Sequence, residues 1–392
     1  MSFKFDFNLK TKIIFGAGTY EARLGEEASK LGEKTIIVTG RTSTKRTGLL
    51  DETCKILEKV GIKYAIYDKV EPNPSIETIH AGADLAKEFE PDFLIGLGGG
   101  SPIDASKAIG IIYTLGGRIS DYFGVEKVKK PIIPILASPT TSGTGAEVTK
   151  YSNINDNKAK TKNLINSLNI CPAVAIVDPT LTLTMPPKLA AISGIDALTH
   201  VVESYVCTFS QPLTELINLE AIRIIGKYLP ISVNLQRDVE AHYWMSYAAL
   251  LGGITINNAG TGIAHGLSFP LTANYRVPHG VATGLLLPYV MEFNMPTNYE
   301  KFAKIAEALG VRVEGLSTIE AAERSVSAVK RLMRDIGFPK SLAEYGVEDD
   351  KIKEFAENLM ANVQKLANNP RMPTTEDIIH ICKMAKDVGI RE

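Results

Sequence analysis

Cysteine is sparse in this chain and long apolar runs are missing. Its four cysteines, Cys54, Cys171, Cys207 and Cys382, stand far apart with no CxxC spacing. A zinc ribbon is therefore excluded, and the pattern fits reduced, mostly buried thiols of a cytoplasmic protein. The longest apolar stretches, such as PIIPILASP and GLLLPYVM, fall far short of the roughly 20 residues that span a bilayer. The opening residues MSFKFDFNLKTKIIFGAG lack the apolar core of a signal peptide. Charge of one sign is lacking too. The formal net charge is -1, with no basic patch of the kind nucleic acid requires. Neither an internal repeat nor a low-complexity linker is visible.

What is present is a long chain with two textures. At 392 residues it exceeds one ordinary core and suggests about two domains. Up to about residue 185, short β-rich runs alternate with helical segments. KTIIVTG (34–40), KYAIYDKV (63–70), PDFLIGLGGG (91–100), KPIIPILASPT (130–140) and AVAIVDP (173–179) read as strands, bounded by Gly, Pro or Asp. Such alternation predicts a mostly parallel sheet flanked by helices. After Pro186-Pro187 the periodicity is helical almost throughout, as in LTELINLEAIRIIGKYL and EAAERSVSAVKRLMRDIG. The expected division is 1–185, an α/β dinucleotide-binding domain, and 186–392, an all-helical domain. The N-terminal stretch FKFDFNLKTKIIFG alternates apolar and polar residues as an edge strand does.

Two constellations carry chemistry. The run GLGGGSPIDASKAIG follows an apolar strand and opens a helix. Consecutive glycines let backbone approach a pyrophosphate, and a helix N-terminus offers free N–H groups. Ser101 is placed to cap that helix, with Pro102 at its first position. Glycine-rich strand–helix turns also occur without a ligand, so this run by itself leaves both readings open. The earlier FGAGTYEARLG lacks the third glycine of a dinucleotide fingerprint.

The second constellation is Asp196 and His200, four residues apart in GIDALTHVVESY, with His265 and His279 in AHGLSFPLTANYRVPHG. Residues four apart share a helix face. The two later histidines can close on the same point only through a bent segment, for which Pro270 and Pro278 are available. One carboxylate with three imidazoles suits Fe(II), Zn(II) or Mn(II). Half of the chain's six histidines are used. His80, His242 and His380 read as structural. Glu203 falls on the face of Asp196 and His200, where it either orients a ligand or lies on the helix surface.

The strings GGGSPIDASKAIG, PTTSGTGAEVT, GIDALTHVVESY and VPHGVATGLLLPYVMEFN together resemble the iron-dependent (group III) alcohol dehydrogenases, over about residues 10–300. The resemblance implies a Rossmann-like α/β N-terminal domain with an all-α C-terminal domain, the fold shared with dehydroquinate synthase. It implies metal ligation by Asp196, His200, His265 and His279, with Fe(II) favoured and zinc the alternative. It assigns cofactor contacts to Asn73, Gly99, Gly100, Ser101, Asp104, Thr140, Thr141, Thr149 and Lys162. NAD-preferring relatives usually carry an Asp at the end of the second strand. Here Gly40 stands there, with Arg41, Thr42, Ser43, Thr44 and Lys45 following, a set that favours a 2'-phosphate and hence NADP(H) over NAD(H). Many members have a further histidine at the position of Phe269, and a phenyl ring relays no proton. The implied activity is hydride transfer between the nicotinamide and a small primary alcohol or diol, with a homodimer as the implied assembly. A glycerol-type polyol dehydrogenase using NAD and zinc, or a dehydroquinate-synthase-like lyase, is the alternative. The segment 190–285 holds only Arg223, Lys227, Arg237 and Arg276 as cations, few for a lyase binding a phosphorylated acid.

Overall fold

The computed structural model describes residues 4–361 and 366–390. They form two compact units, Asn8–Met185 and Pro186–Glu392. The described N-terminal residues up to Phe7 group with the second unit rather than the first, and the Gln211 side chain donates to the Asp6 carbonyl at 3.3 Å.

The strands of the first unit are β1 (Lys12–Phe15), β2 (Lys34–Gly40), β3 (Lys63–Val70), β4 (Phe93–Gly98), β5 (Gly124–Val125), β6 (Ile135–Pro139), β7 (Tyr151–Asp156), β8 (Thr161–Asn166) and β9 (Val174–Val177). Its helices are α1 (Thr19–Ser29), α2 (Ser43–Arg46), α3 (Leu49–Lys59), α4 (Ile76–Phe89) and α5 (Gly100–Leu115). Six strands make one sheet in the order β1-β9-β6-β4-β2-β3, parallel throughout. Alternate residues of β2 and β4 serve opposite faces. Ile36, Val38 and Leu94 pack with Ile109 and Ile112 of α5. Ile37, Phe93 and Ile95 pack with Leu24 of α1 and Leu57 of α3. Burial on both faces explains why these strands read as continuous apolar runs. The chain steps from β2 outward to β3, then returns to β4 on β2's other side. That reversal opens a crevice at the carboxyl ends of β2 and β4, where ligands of such sheets bind.

The expected strands 91–100, 130–140 and 173–179 run longer than β4, β6 and β9, because their end residues pass into loops, into α5 at Gly100 and into a 3-10 turn at Pro179. The N-terminal alternation yields only β1, an edge strand that pairs with β9 of its own sheet. A second, three-stranded sheet, β5-β8-β7, escapes the sequence reading. Its hairpin buries Ser152, Ile154, Lys162 and Ile165 among polar neighbours, so no apolar run marks it.

The second unit has helices α6 (Pro187–Val206), α7 (Pro212–Asn234), α8 (Val239–Ala259), α9 (Ile263–Tyr275), α10 (His279–Asn294), α11 (Tyr299–Ala308), α12 (Thr318–Asp335), α13 (Asp349–Met360) and α14 (Thr375–Asp387). No strand occurs there among the described residues. Pro187 starts α6 at a position where its missing N–H costs nothing. Glycines on α10 let it approach α6 closely. A Cβ on Gly280 of α10 would lie 2.5 Å from the Ile192 carbonyl oxygen of α6, and one on Gly284 would lie 2.4 Å from Ile195. Pro270 lies inside α9 and does not break it. The bend between the two histidines comes instead at Arg276, with φ of 54°, followed by Pro278 as the N-cap of α10. Among the described residues, no helix is long and apolar enough to cross a membrane.

Candidate metal centre and nucleotide loop

Three helices bring the predicted ligands together. Asp196 and His200 lie one turn apart on α6, His265 in the first turn of α9, and His279 at the first position of α10. Donor atoms of Asp196, His265 and His279 all lie within 4.8 Å of one another. His200 adjoins this trio, its ring stacked on that of His265 with centroids 4.6 Å apart. Asp196, His200 and His265 are buried. The absent side chain at Gly280 lets His279 come this near Asp196, since a Cβ there would also press to 3.1 Å on the Asp196 Cβ.

The hydrogen bonds around the rings set their tautomers. Glu203, on α6, is buried; one carboxylate oxygen accepts the Ala264 N–H at 2.7 Å. The other is 2.6 Å from His265 Nδ1. A carboxylate only accepts, so that nitrogen carries the proton and Nε2 keeps its lone pair. His265 Nε2 is buried without a hydrogen-bond partner. Ser268 donates its hydroxyl proton to the His265 carbonyl at 2.7 Å, so at 3.2 Å it accepts from His279 Nδ1. His279 Nε2 lies 3.9 Å from Asp196 Oδ1. Thr283 donates to Asp196 Oδ1 at 3.0 Å. Burial pushes the Asp196 carboxyl up, yet His200, His279, His265 and Thr283 together hold it below the usual carboxylate range. The unpartnered His265 Nε2, an ionised Asp196 carboxylate and the neighbouring His279 imidazole make a mixed nitrogen and oxygen set. Such a set fits a divalent transition ion better than a hard cation, which prefers oxygens alone. Phe269 stands with its ring centroid 6.2 Å from that of His279.

In the first unit, the glycine run occupies the crevice end of β4. Gly98 has φ of +141°, and a Cβ on Gly100 would lie 2.8 Å from Thr144. Thr140 N–H bonds the Gly98 carbonyl at 2.9 Å, and Thr141 packs beside Gly99, so the two predicted loops lie together. Ser101 does not cap α5. The N-cap is Gly99, without a side-chain bond, and the Ser101 hydroxyl instead accepts the Asn73 N–H at 3.1 Å. The helix starts two residues earlier than Ser101 could cap. Asn73, at φ of 56°, is thus tied to the same turn. The Asp104 carboxylate accepts the Asn153 N–H at 3.0 Å, which fixes β7 on α5. Burial raises the Asp104 pKa against the lowering charges of Lys107 and Lys162 and the Asn153 bonds.

Lys107, absent from the sequence reading, organises the threonine loop. Fully buried, its ammonium donates to the carbonyls of Ala146, Thr149 and Tyr151 at 2.7, 2.9 and 2.8 Å. Burial depresses its pKa, against the raising influence of Asp104. Its clue was a lone cation within the run ASKAIGII, where α5 is buried all round. Gly40 ends β2, Thr42 is the N-cap of α2, and Ser43 is its first residue. The cations after Gly40 have carboxylate partners on and beyond β3: Lys45 binds Asp68, and Arg41 lies 3.6 Å from Glu71.

Comparison with known proteins agrees with this architecture. Residues 10–179 match the iron-containing alcohol dehydrogenase family. Residues 190–386 match the C-terminal part of the Fe-containing alcohol dehydrogenase family. The NAD-dependent methanol dehydrogenase of Bacillus methanolicus is 37% identical over 97% of this chain and 99% of its own. The NADPH-dependent butanol dehydrogenase of Clostridium saccharobutylicum is 39% identical over 88% of each. The structure of an alcohol dehydrogenase from Oenococcus oeni superposes with a TM-score of 0.94, at 36% identity, covering 97% of this chain and 100% of that one. The chain belongs to the iron-containing alcohol dehydrogenase family. It is an oxidoreductase of that class.

Proposed function

We propose that this enzyme interconverts small primary alcohols or diols and their aldehydes with NADP(H), using a divalent ion, Fe(II) by preference, held by Asp196, His200, His265 and His279. The observation that carries the proposal is the convergence of donor atoms of Asp196, His265 and His279 within 4.8 Å of one another, with the His200 ring stacked on that of His265. Around them, Glu203 accepts from His265 Nδ1 at 2.6 Å and the Ser268 hydroxyl lies 3.2 Å from His279 Nδ1, so both rings are held in place from outside.

When bound, the ion supplies a Lewis acid for the substrate oxygen, and the dinucleotide supplies the hydride partner. The protein residues bind and orient. Gly98 to Gly100 and the N-terminus of α5 present backbone to the pyrophosphate, while Lys107 holds the adjoining threonine loop. Phe269 offers an apolar wall and no exchangeable proton, so it takes no part in moving the substrate's proton.

Support for NADP(H) comes from Gly40, which puts no carboxylate where a 2'-phosphate would lie, with Thr42, Ser43 and Lys45 close by. The NADPH-dependent butanol enzyme is one relative with that cofactor. NAD(H) is the second reading, favoured by the pairing of Lys45 with Asp68 and of Arg41 with Glu71. The chain is further proposed to act as a homodimer, tested by light scattering on the eluting peak.

The deciding experiment uses protein purified without oxygen. Metal content is measured by mass spectrometry, alongside initial rates with NADPH and NADH on butyraldehyde. About one iron per chain and faster NADPH turnover are expected. Faster NADH turnover would overturn the cofactor assignment, and activity in metal-free protein would overturn the ligand set.

A further inference from the structure

We infer that Asn368 and Asn369, on the far side of the chain's sequence from every ligand, form a clamp that positions His265 for metal. The inference rests on the ligand set proposed above. α8 ends at Ala259, and only Gly260, Thr261 and Gly262 separate it from α9. Those few residues decide where the first turn of α9, and hence His265, stands. Asn368 seizes them from outside: its amide nitrogen donates to the carbonyls of Ala259 at 2.7 Å and Thr261 at 2.9 Å. One side-chain amide thus bridges the end of one helix and the approach to the next.

Asn369 completes the hold. It is 4% exposed, and it forms a reciprocal amide pair with Asn294, which is 2% exposed, at 2.7 and 3.0 Å. A further bond reaches the Arg371 carbonyl at 2.6 Å. The side-chain oxygen Oδ1 of Asn369 sits 3.0 Å from where a Gly262 Cβ would be, and Glu203 Oε1 sits 2.9 Å from the same point. Gly262 is therefore pinched between Asn369 and the carboxylate that orients His265. Gly260 is crowded in the same manner, its Cβ position 2.5 Å from the Asn368 amide nitrogen. The clamp crowds both positions, and at Gly260 a φ of +80° calls for glycine as well.

The anchoring of the clamp itself reaches back to the ligand-bearing helix α6. Thr208, just past its end, donates its N–H to the Asn368 carbonyl at 3.0 Å and its hydroxyl to the Ala367 carbonyl at 3.1 Å. Asn294 is the last residue of α10, the helix that His279 begins. The clamp is thus braced on α6 and α10 while it grips the entry to α9. Those three helices are the ones that carry the ligands. Asn368 and Asn369 are positioning residues: they touch no ligand atom, and they act through the 260–262 turn and Glu203.

The test measures Co(II) binding by chelator competition and by the visible absorption of the bound ion, on wild type, His265→Ala, Asn368→Asp and Asn369→Ala. Asn368→Asp keeps the shape but sets a carboxylate against two carbonyls that need a donor. Both asparagine variants are expected to bind Co(II) about tenfold more weakly, the loss typical of residues that orient a ligand from outside. An altered Co(II) absorption envelope is expected with it, while the metal-free proteins melt within a few degrees of wild type. Wild-type affinity and an unchanged spectrum in both variants would overturn the clamp. If Asn369→Ala does not fold, Asn368→Asp alone carries the comparison, with the same two outcomes. Failure of the ligand set is separately visible, since His265→Ala would then bind Co(II) as wild type does, and the clamp would fall with it.

Discussion

Glu203 and His265, 62 residues apart in sequence, share a 2.6 Å hydrogen bond, and the second oxygen of the same carboxylate holds the Ala264 N–H. One side chain therefore caps α9 and sets the protonation of the ring that α9 presents. Glu203→Gln separates the two duties. A primary amide has one acceptor oxygen, so it satisfies either the cap or the imidazole proton. Metal affinity is expected to fall 10- to 100-fold. Stability should drop by about 1 kcal/mol, the usual cost of a lost cap. Chelator titration and urea unfolding of the same samples give both numbers; unchanged affinity would refute the tautomer argument.

Gly280→Ala tests the approach of α10 to α6. The added methyl meets the Ile192 carbonyl oxygen at 2.5 Å, and backbone cannot swing aside as a side chain can. Overpacking of this kind costs about 1–3 kcal/mol. The melting temperature should fall by several degrees, and metal content should fall with it. A variant that melts and loads as wild type does would show that the helices have slack.

Gly40→Asp tests the cofactor. A Cβ there comes no nearer than 3.8 Å to any neighbouring atom, so stability should stay within about 0.5 kcal/mol of wild type. The new carboxylate would repel a 2'-phosphate and accept from a ribose hydroxyl. The ratio of kcat/KM for NADPH to that for NADH is expected to fall at least tenfold (about 1.4 kcal/mol). No change in the ratio would remove Gly40 from the specificity argument.

Glu147 predicts a pH dependence of stability. Burial raises its pKa from 4.5 to about 7, against lowering by its own backbone N–H and by Lys107. Between those two values the folded protein binds a proton that the unfolded chain has released, so stability falls as pH rises through that window. Ionising the buried group by pH 8 costs on the order of 3 kcal/mol. Glu147→Gln should flatten the urea-unfolding profile between pH 5 and pH 8 and exceed wild type at the upper end. Parallel profiles for the two proteins would contradict this.

Much of this was legible in the sequence because each signal was local. The runs 34–40 and 63–70 coincide with β2 and β3. β2 is buried along nearly its whole length and reads as a continuous apolar run, and β3, at the sheet edge, shows through its β-forming residues bounded by turn residues. Asp196 and His200 declared themselves through helical spacing, and His265 and His279 through the motifs that surround them. What stayed hidden depends on pairs distant in sequence. Nothing near Glu203 says that α9 will start against it, so the residue read equally well as a surface carboxylate. Ser101 looked like a cap because a serine beside a proline usually is one; the turn that holds Asn73 claimed its hydroxyl instead. Lys107 resembled an ordinary helix cation at i+3 from Asp104, and only the carbonyls of residues 146, 149 and 151 reveal its task. The β7–β8 hairpin was missed because half of its buried positions are Ser152 and Lys162.

The close contact at Gly280 bears on how such chains are interpreted when only their letters are known. A homologue that kept Asp196, His200, His265 and His279 but carried alanine at 280 would pass any inventory of donor residues as intact. Its α10 would nonetheless be held away from α6, with His279 pushed off the other three donors. For this fold, the hydrogen atom that glycine carries in place of a side chain belongs to the signature as much as the histidine before it.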